Sequence, residues 1–323
     1  MLRRIVLERP ERLVATDAPA PTASAGEAVL RVHRVGVCGT DFHAFHGRQA
    51  FFTYPRVMGH ELGAEILEAP DNDRGLRPGD RCTVEPYLNC GMCDRCREGH
   101  YNNCQNIRVL GVHVDGGMQE LIVVPADHVY KSNQLSFDQL ALIEPFSIGA
   151  QAIMRSKLTG GETLLVIGAG PIGVAVAQLA LVAGAKVCVH EPLPQRRARV
   201  ERMGAEARDN IADDEWADVV IDATGNADSM AQSLSRARYG GRVVWVGIVQ
   251  TDVPVHDPLF HHRELTLLAS RNSAGHFPRI IQMFENGVLD TSPWISNRVA
   301  LDDVPMRFQE VTRHQGLKTM VEL

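Results

Sequence analysis

Between residues 162 and 191 the chain switches repeatedly from unbroken aliphatic runs to short glycine-bearing segments. "TLLVI" (163–167) has no polar position after its threonine, the pattern of a strand buried on both faces of a parallel sheet. "IGVAVAQLALVAGA" is rich in alanine and leucine and stops on Gly184, as a helix closed by a left-handed glycine does. "KVCVHE" reads as a second strand ending at Glu191. Two more apolar runs, "DVVIDATGN" and "GGRVVWVGI", meet glycines that permit tight turns. Strand, helix and strand followed by further strands predict an α/β domain built on a doubly wound parallel sheet.

The turn after the first of these strands is Gly168-x-Gly170-x-x-Gly173, with Pro171 and Ile172 inside it. Three glycines at this spacing are weak evidence alone, but here they join a strand to a helix as a dinucleotide site requires. The helix start after Gly170 would receive a pyrophosphate. Glu191, about 20 residues beyond the loop, can accept hydrogen bonds from ribose hydroxyls, and its charge would repel a 2′-phosphate. NAD is therefore expected rather than NADP, although Arg196 and Arg197 follow closely and pull the other way. Thr224, Gly225, Gly247 and Ile248, at the carboxyl ends of the later strands, should line the crevice. The competing reading is an α/β turn that binds no nucleotide.

"CGMCDRCREGHYNNC" places Cys90, Cys93, Cys96 and Cys104 in one run with gaps of two, two and seven residues. Such gaps let thiolates converge on one ion, and four of them close a tetrahedral shell with no position for substrate. A structural zinc is expected; an iron–sulfur cluster, redox use or inert cysteines are the alternatives. Chemistry then has to lie elsewhere. Cys38, His60 and Glu61 supply the mixed sulfur, nitrogen and oxygen donors of a catalytic zinc, and Glu144 is a further carboxylate in an apolar segment. Taken singly, Cys38 is a small buried residue, His60 a hydrogen-bonded core histidine, and the two glutamates solvated or ion-paired. Only their combination with the glycine loop lifts the metal reading.

Composition narrows the partners. The chain has 323 residues, 45% hydrophobic and 22% charged, enough for two domains. A net charge of -6, with no run of Lys or Arg to reopen the question, argues against nucleic acid or an acidic membrane surface. The longest apolar stretch is punctuated by Gly and Pro and contains Gln178, which favours strand, turn and helix over a membrane span. Seven cysteines without a secretory signal fit metal binding in a reducing cytoplasm rather than a disulfide scaffold. Cys82 and Cys188, in strand-like runs, read as inert fillers.

With these residues in hand, the chain resembles the zinc-dependent medium-chain dehydrogenases over essentially its whole length. "GHE", the four-cysteine lobe, "GAGPIG" and "DATG" come in that family's order. "EPFSIGAQA" and "SRN" resemble its polyol and sugar-acid branch. "FFTYPRVMGHE", "RVLGVHVDGGMQE" and "DPLFHHRELTLLASRN" resemble bacterial L-galactonate and L-gulonate 5-dehydrogenases.

The resemblance implies a GroES-like β-rich catalytic domain with both zincs and the zinc lobe (1–147), a Rossmann domain (148–271) and a C-terminal return to the first (272–323). The active site would lie in the cleft between domains. Two zinc ions per chain, NAD and a small sugar acid or polyol are implied. Thr40 would take the substrate proton first, and the cofactor ribose and His43 would relay it. At least one of Glu61 and Glu144 would touch the catalytic metal. Ser270 and Arg271 would lie on the cofactor side, Arg271 binding substrate oxygens or else forming a domain-boundary salt bridge. Phe51, Phe52 and Tyr54 would wall the pocket or pack in the core. Relatives pair through the Rossmann sheet edge, placed here at "GGRVVWVGI", so a homodimer or homotetramer is expected. The segment "GAEARDNIADDEWADVV" is short for the family and puts the other sheet edge in doubt. A threonine or simple alcohol dehydrogenase, and a non-catalytic nucleotide-binding relative, are the competing readings.

Overall fold

A computed structural model describes residues 1–212, 214–313 and 316–323. The chain divides into two compact units. One comprises 1–144, 277–287 and 291–323; the other comprises 145–276 and 288–290.

The first unit is mostly antiparallel β structure. Its larger sheet runs in the order Val129–Lys131, Arg81–Val84, Glu61–Glu68, Glu27–Gly36, Lys318–Glu322 and Ile295–Ala300, and Leu121–Pro125 also pairs with Glu27–Gly36. The last segment of the chain is thus a central strand beside Glu27–Gly36, with Met320 opposite Gly36. Glu27–Gly36 also pairs with Glu61–Glu68, which puts Gly36 opposite Glu61. A smaller sheet joins Leu2–Arg9, Arg12–Ala18 and Arg56–Val57. Leu30, Met58, Leu62, Ile66 and Met118 are fully buried in the shared core. Close approach needs glycine at Gly63, where a Cβ would lie 2.1 Å from the Phe137 carbonyl oxygen. At the far end of the sheet, Arg34 and Arg298 share Asp138 and Glu322, tying three strands to the helix Phe137–Ser156.

The second unit is a six-stranded sheet whose strands are all parallel, ordered Glu206–Arg208, Lys186–His190, Thr163–Ile167, Ala217–Asp222, Ala237–Trp245 and Thr266–Ala269. Counted along the chain this is 3-2-1-4-5-6, the Rossmann order, and it reverses direction at Thr163–Ile167. Val166, Val189, Val219, Val220, Val243 and Val244 are fully buried, which explains why these strands read as continuous apolar runs. Glu206–Arg208 is a short edge strand of three residues within the compressed segment.

One expectation is overturned. "GGRVVWVGI" is not the exposed sheet edge: Ala237–Trp245 pairs with Ala217–Asp222 on one side and Thr266–Ala269 on the other. The edge is Thr266–Ala269. The apolar run that suggested an edge needing a partner is apolar because it is interior to the sheet. Among the described residues, no helix is long and apolar enough to cross a membrane.

Candidate functional site

Two stretches of the first unit deliver the mixed-donor cluster. Cys38, in extended conformation, caps the short helix Gly39–Phe45, and the Asp41 carboxylate accepts from the Cys38 N–H at 2.9 Å. Gly59, at φ 97, turns the chain just before His60, and Glu61 opens the strand Glu61–Glu68. One donor atom from each of Cys38, His60 and Glu61 lies within 4.8 Å of the others. His60 is 4% exposed and Glu61 1%.

The charges around this cluster call for a cation. Burial opposes a proton on His60, yet the negative neighbours Cys38, Asp41 and Glu144 outweigh it and raise the pKa to about 10. His60 Nδ1 sits 4.0 Å from Asp41 and has no hydrogen-bond partner. Glu61 Oε1 accepts from Lys318 Nζ at 2.6 Å, while Oε2 is buried with no hydrogen-bond partner. A buried, partnerless carboxylate oxygen beside a thiol and an imidazole is a donor set that fits zinc.

Glu144 stands apart from the three-donor cluster. It is 3% exposed, and Tyr87 donates its hydroxyl to Oε1. Burial, with Glu61 adding to it, raises its pKa to about 7. Of the two glutamates, then, the structure groups Glu61 with Cys38 and His60 and holds Glu144 on Tyr87. Asp41, Tyr87 and Lys318 were missed in the sequence. Asp41 has a signal, the capping spacing three residues after Cys38. Lys318 has a fainter one, a lone cation in the apolar run "LKTMVEL". Tyr87 has none.

Thr40 and His43 sit on the helix that Cys38 caps. Partial desolvation of the His43 ring, then the nearby Arg48 and His46, lower its pKa, so its imidazole is neutral at neutral pH. Phe52 is buried against Tyr54, whose hydroxyl bonds the Ala44 carbonyl, and so both pack; Phe51 is 54% exposed.

The four cysteines converge around the turn Asp94–Arg97, which Cys93 caps. Their sulfurs are 3.5 Å apart for Cys93–Cys96, 3.9 Å for Cys93–Cys104 and 3.5 Å for Cys90–Cys104. A disulfide would need about 2.05 Å. Four sulfurs about 2.3 Å from one ion in a tetrahedron sit about 3.8 Å apart, close to the spacing here. Backbone N–H groups of Met92 and Cys93 lower the Cys90 pKa to about 6, favouring a thiolate. Asn89 and Asn106 amides approach Cys96 and Cys90 sulfurs at 3.8 and 3.9 Å. These residues fit a structural zinc, and all seven cysteines are free of disulfides.

The second unit carries a cleft of about 620 Å3 whose lining includes Gly168, Gly170, Glu191, Arg196, Thr224 and Arg236. Gly168 turns at φ 96, Gly170 caps the helix Pro171–Val182, and Pro171 is its first residue. Glu191 is 3% exposed; its oxygens accept from Ala169 N at 2.9 Å and Leu193 N at 3.0 Å, with Arg196 at 3.7 Å. Thr224 is held by the fully buried Asp222 through its N–H and hydroxyl. Ile172, Gly173, Gly247, Ile248, Ser270 and Arg271 lie outside this lining. Gly173 has a packing role described below. A Cβ on Gly247 would lie 2.5 Å from the Gly225 backbone, Ile248 is 73% exposed, and the buried Ser270 hydroxyl has no hydrogen-bond partner.

Residues 24–134 match the alcohol dehydrogenase GroES-like domain family, and residues 171–286 match the zinc-binding dehydrogenase family. The chain is 36% identical to L-galactonate-5-dehydrogenase of Escherichia coli K12 over 91% of its own length and 90% of that protein's. It is 32% identical to 2-dehydro-3-deoxy-L-galactonate 5-dehydrogenase of Pseudoalteromonas atlantica (96% and 95% covered) and 30% identical to an L-threonine 3-dehydrogenase of Burkholderia ambifaria (98% and 97%). Two solved structures, each 29% identical, cover 100% of this chain and 99% of their own at a TM-score of 0.94. One is an alcohol dehydrogenase of E. coli CFT073 in complex with NADH, the other a zinc-binding dehydrogenase of Sinorhizobium meliloti bound to NADP.

Proposed function

Because this chain belongs to the zinc-type medium-chain alcohol dehydrogenases, in their polyol and sugar-acid branch, we propose that it oxidises a secondary hydroxyl of a sugar acid or polyol, of the L-galactonate or L-gulonate kind, to the ketone with NAD. The observation that carries this reading is the Cys38–His60–Glu61 triplet, half-buried at Cys38 and buried at the other two, with its unpartnered carboxylate oxygen, in a chain whose second unit holds a glycine-loop cleft. Cys38, His60 and Glu61 would hold the catalytic zinc, and Cys90, Cys93, Cys96 and Cys104 the structural one. When bound, the catalytic zinc supplies a Lewis acid toward the substrate hydroxyl and the nicotinamide supplies a hydride acceptor. Thr40 would take the proton that the hydroxyl sheds and give up its own, which the cofactor ribose and the neutral His43 imidazole would relay to solvent. Glu144, fixed by Tyr87, adds negative charge beside His60 when ionised. Gly168, Gly170 and the helix start at Pro171 would receive the pyrophosphate.

Glu191 is the basis for choosing NAD over NADP. Its oxygens still have lone pairs for ribose hydroxyls, and its charge opposes a 2′-phosphate, while Arg196 weakens that opposition. Glu191→Ala is expected to lower kcat/KM for NAD by about tenfold or more, the worth of a hydrogen bond to a charged group. The value for NADP should rise or hold. An equal fall for both cofactors would show that Glu191 only fixes the loop.

The function is tested by following NADH formation with NAD and a panel of aldonates, polyols, threonine and simple alcohols. Turnover on an aldonate is expected. Turnover on threonine or short alcohols alone would keep the chemistry and discard the substrate class. Silence with both metal sites filled would favour a binding protein that does not react.

A homodimer or homotetramer in the cytoplasm completes the reading. Its sheets would pair through Thr266–Ala269, which presents an open edge to a partner.

A further inference from the structure

Glu61 is held in a seat made by two residues on neighbouring strands. Gly36 lies directly opposite it in the sheet, and a Cβ at position 36 would fall 2.0 Å from Glu61 Oε2 and 3.0 Å from its Cβ. The carboxylate therefore occupies the space that any other residue at 36 would fill. On the other side, Lys318 Nζ bonds Oε1 at 2.6 Å and is itself steadied by the Val37 carbonyl at 3.2 Å. Lys318 comes from the last strand of the chain, paired to the same strand as Gly36. The two oxygens of Glu61 are thus made unequal: Oε1 is taken, and Oε2 is buried with no hydrogen-bond partner, in a carboxylate that brings one oxygen within 4.8 Å of donor atoms of Cys38 and His60.

We propose that Gly36 and Lys318 are positioning residues for the metal centre. Gly36 leaves the slot that brings Oε2 to the donor cluster, and Lys318 withholds Oε1, so that Glu61 offers one oxygen and not two. A single-oxygen carboxylate, with Cys38 and His60, makes three protein donors and leaves the fourth position of a tetrahedral ion for substrate. This rests on the reading of Cys38, His60 and Glu61 as a metal site.

The test uses the full chain stripped of metal and titrated with Co2+, whose visible bands report thiolate ligation and coordination number. The four-cysteine site serves as an internal check that the first unit is folded. Wild type is expected to take up two ions. Gly36→Ala should weaken the three-donor site by about 10–100-fold, the usual effect of disturbing an outer-shell partner, and leave the four-cysteine site unchanged. In a Glu61→Ala background the same substitution should cause no further loss, because nothing remains to be displaced. Lys318→Met, which inserts nothing into the slot, should weaken the cobalt d–d bands as the freed Oε1 adds a ligand, and Lys318→Arg should restore them.

Two ions in wild type with unaltered affinity in Gly36→Ala would overturn the seat while sparing the metal reading. So would an equal loss in the Glu61→Ala background, or unchanged bands in Lys318→Met. Uptake of a single ion by wild type would overturn both. If Gly36→Ala loses the four-cysteine site as well, the Lys318 spectra decide alone.

Discussion

Lys318→Met is expected to cost about 3–5 kcal/mol of stability, because it breaks a buried ion pair by removing one partner. Lys318 is 2% exposed and Glu61 1%. Without the ammonium, the Glu61 carboxylate is left near Cys38, Asp41 and Glu144, whose negative charge already gathers around His60. The loss measures that stranded charge rather than the worth of the pair. The double variant Lys318→Met with Glu61→Gln, which removes both charges, should therefore recover most of it. Urea unfolding of the metal-free chain, followed by far-ultraviolet circular dichroism, reads both quantities. A loss below about 1 kcal/mol would place the pair in the class of solvated surface bridges and contradict its burial.

Gly173→Ala should be the most damaging change in the glycine loop. A Cβ at 173 would stand 1.9 Å from the Gly168 carbonyl oxygen, so helix Pro171–Val182 would have to move off the strand Thr163–Ile167. Overpacking of this kind costs about 1–3 kcal/mol. It should also abolish NADH binding measurable by fluorescence, since the helix start is displaced with it. Gly170→Ala is the informative contrast. A Cβ there meets nothing within 4 Å. Stability should be unchanged, while cofactor affinity falls because the new methyl group occupies the space of the pyrophosphate. Equal stability losses in the two variants would refute the division of labour between these glycines.

Much of this protein is written in local pattern. The two-residue cysteine gaps bring four sulfurs together because the intervening turn is short, and Cys93 caps that turn itself. The strand, glycine turn and helix of 163–182 follow from an apolar run, a left-handed glycine and a proline at the helix start, all decided within a few residues of one another. Position in a sheet is not local. "GGRVVWVGI" has the composition of an apolar strand whether its neighbours number one or two, and only the later strand Thr266–Ala269 shows that it is interior.

The site divides along the same line. The sequence by itself determined the donor types at Cys38, His60, Glu61 and the four cysteines, and the glycine spacing of the cofactor loop, because each depends on residues close together in the chain. Only the tertiary structure decided which carboxylate joins Cys38 and His60, since Glu61 and Glu144 differ in their partners and not in their chemistry. Lys318 lies 257 residues from Glu61, and Tyr87 lies 57 from Glu144. Pairing across such separations is set by strand order and register, through burial that leaves an ionised group no water to turn to, and no local pattern carries it.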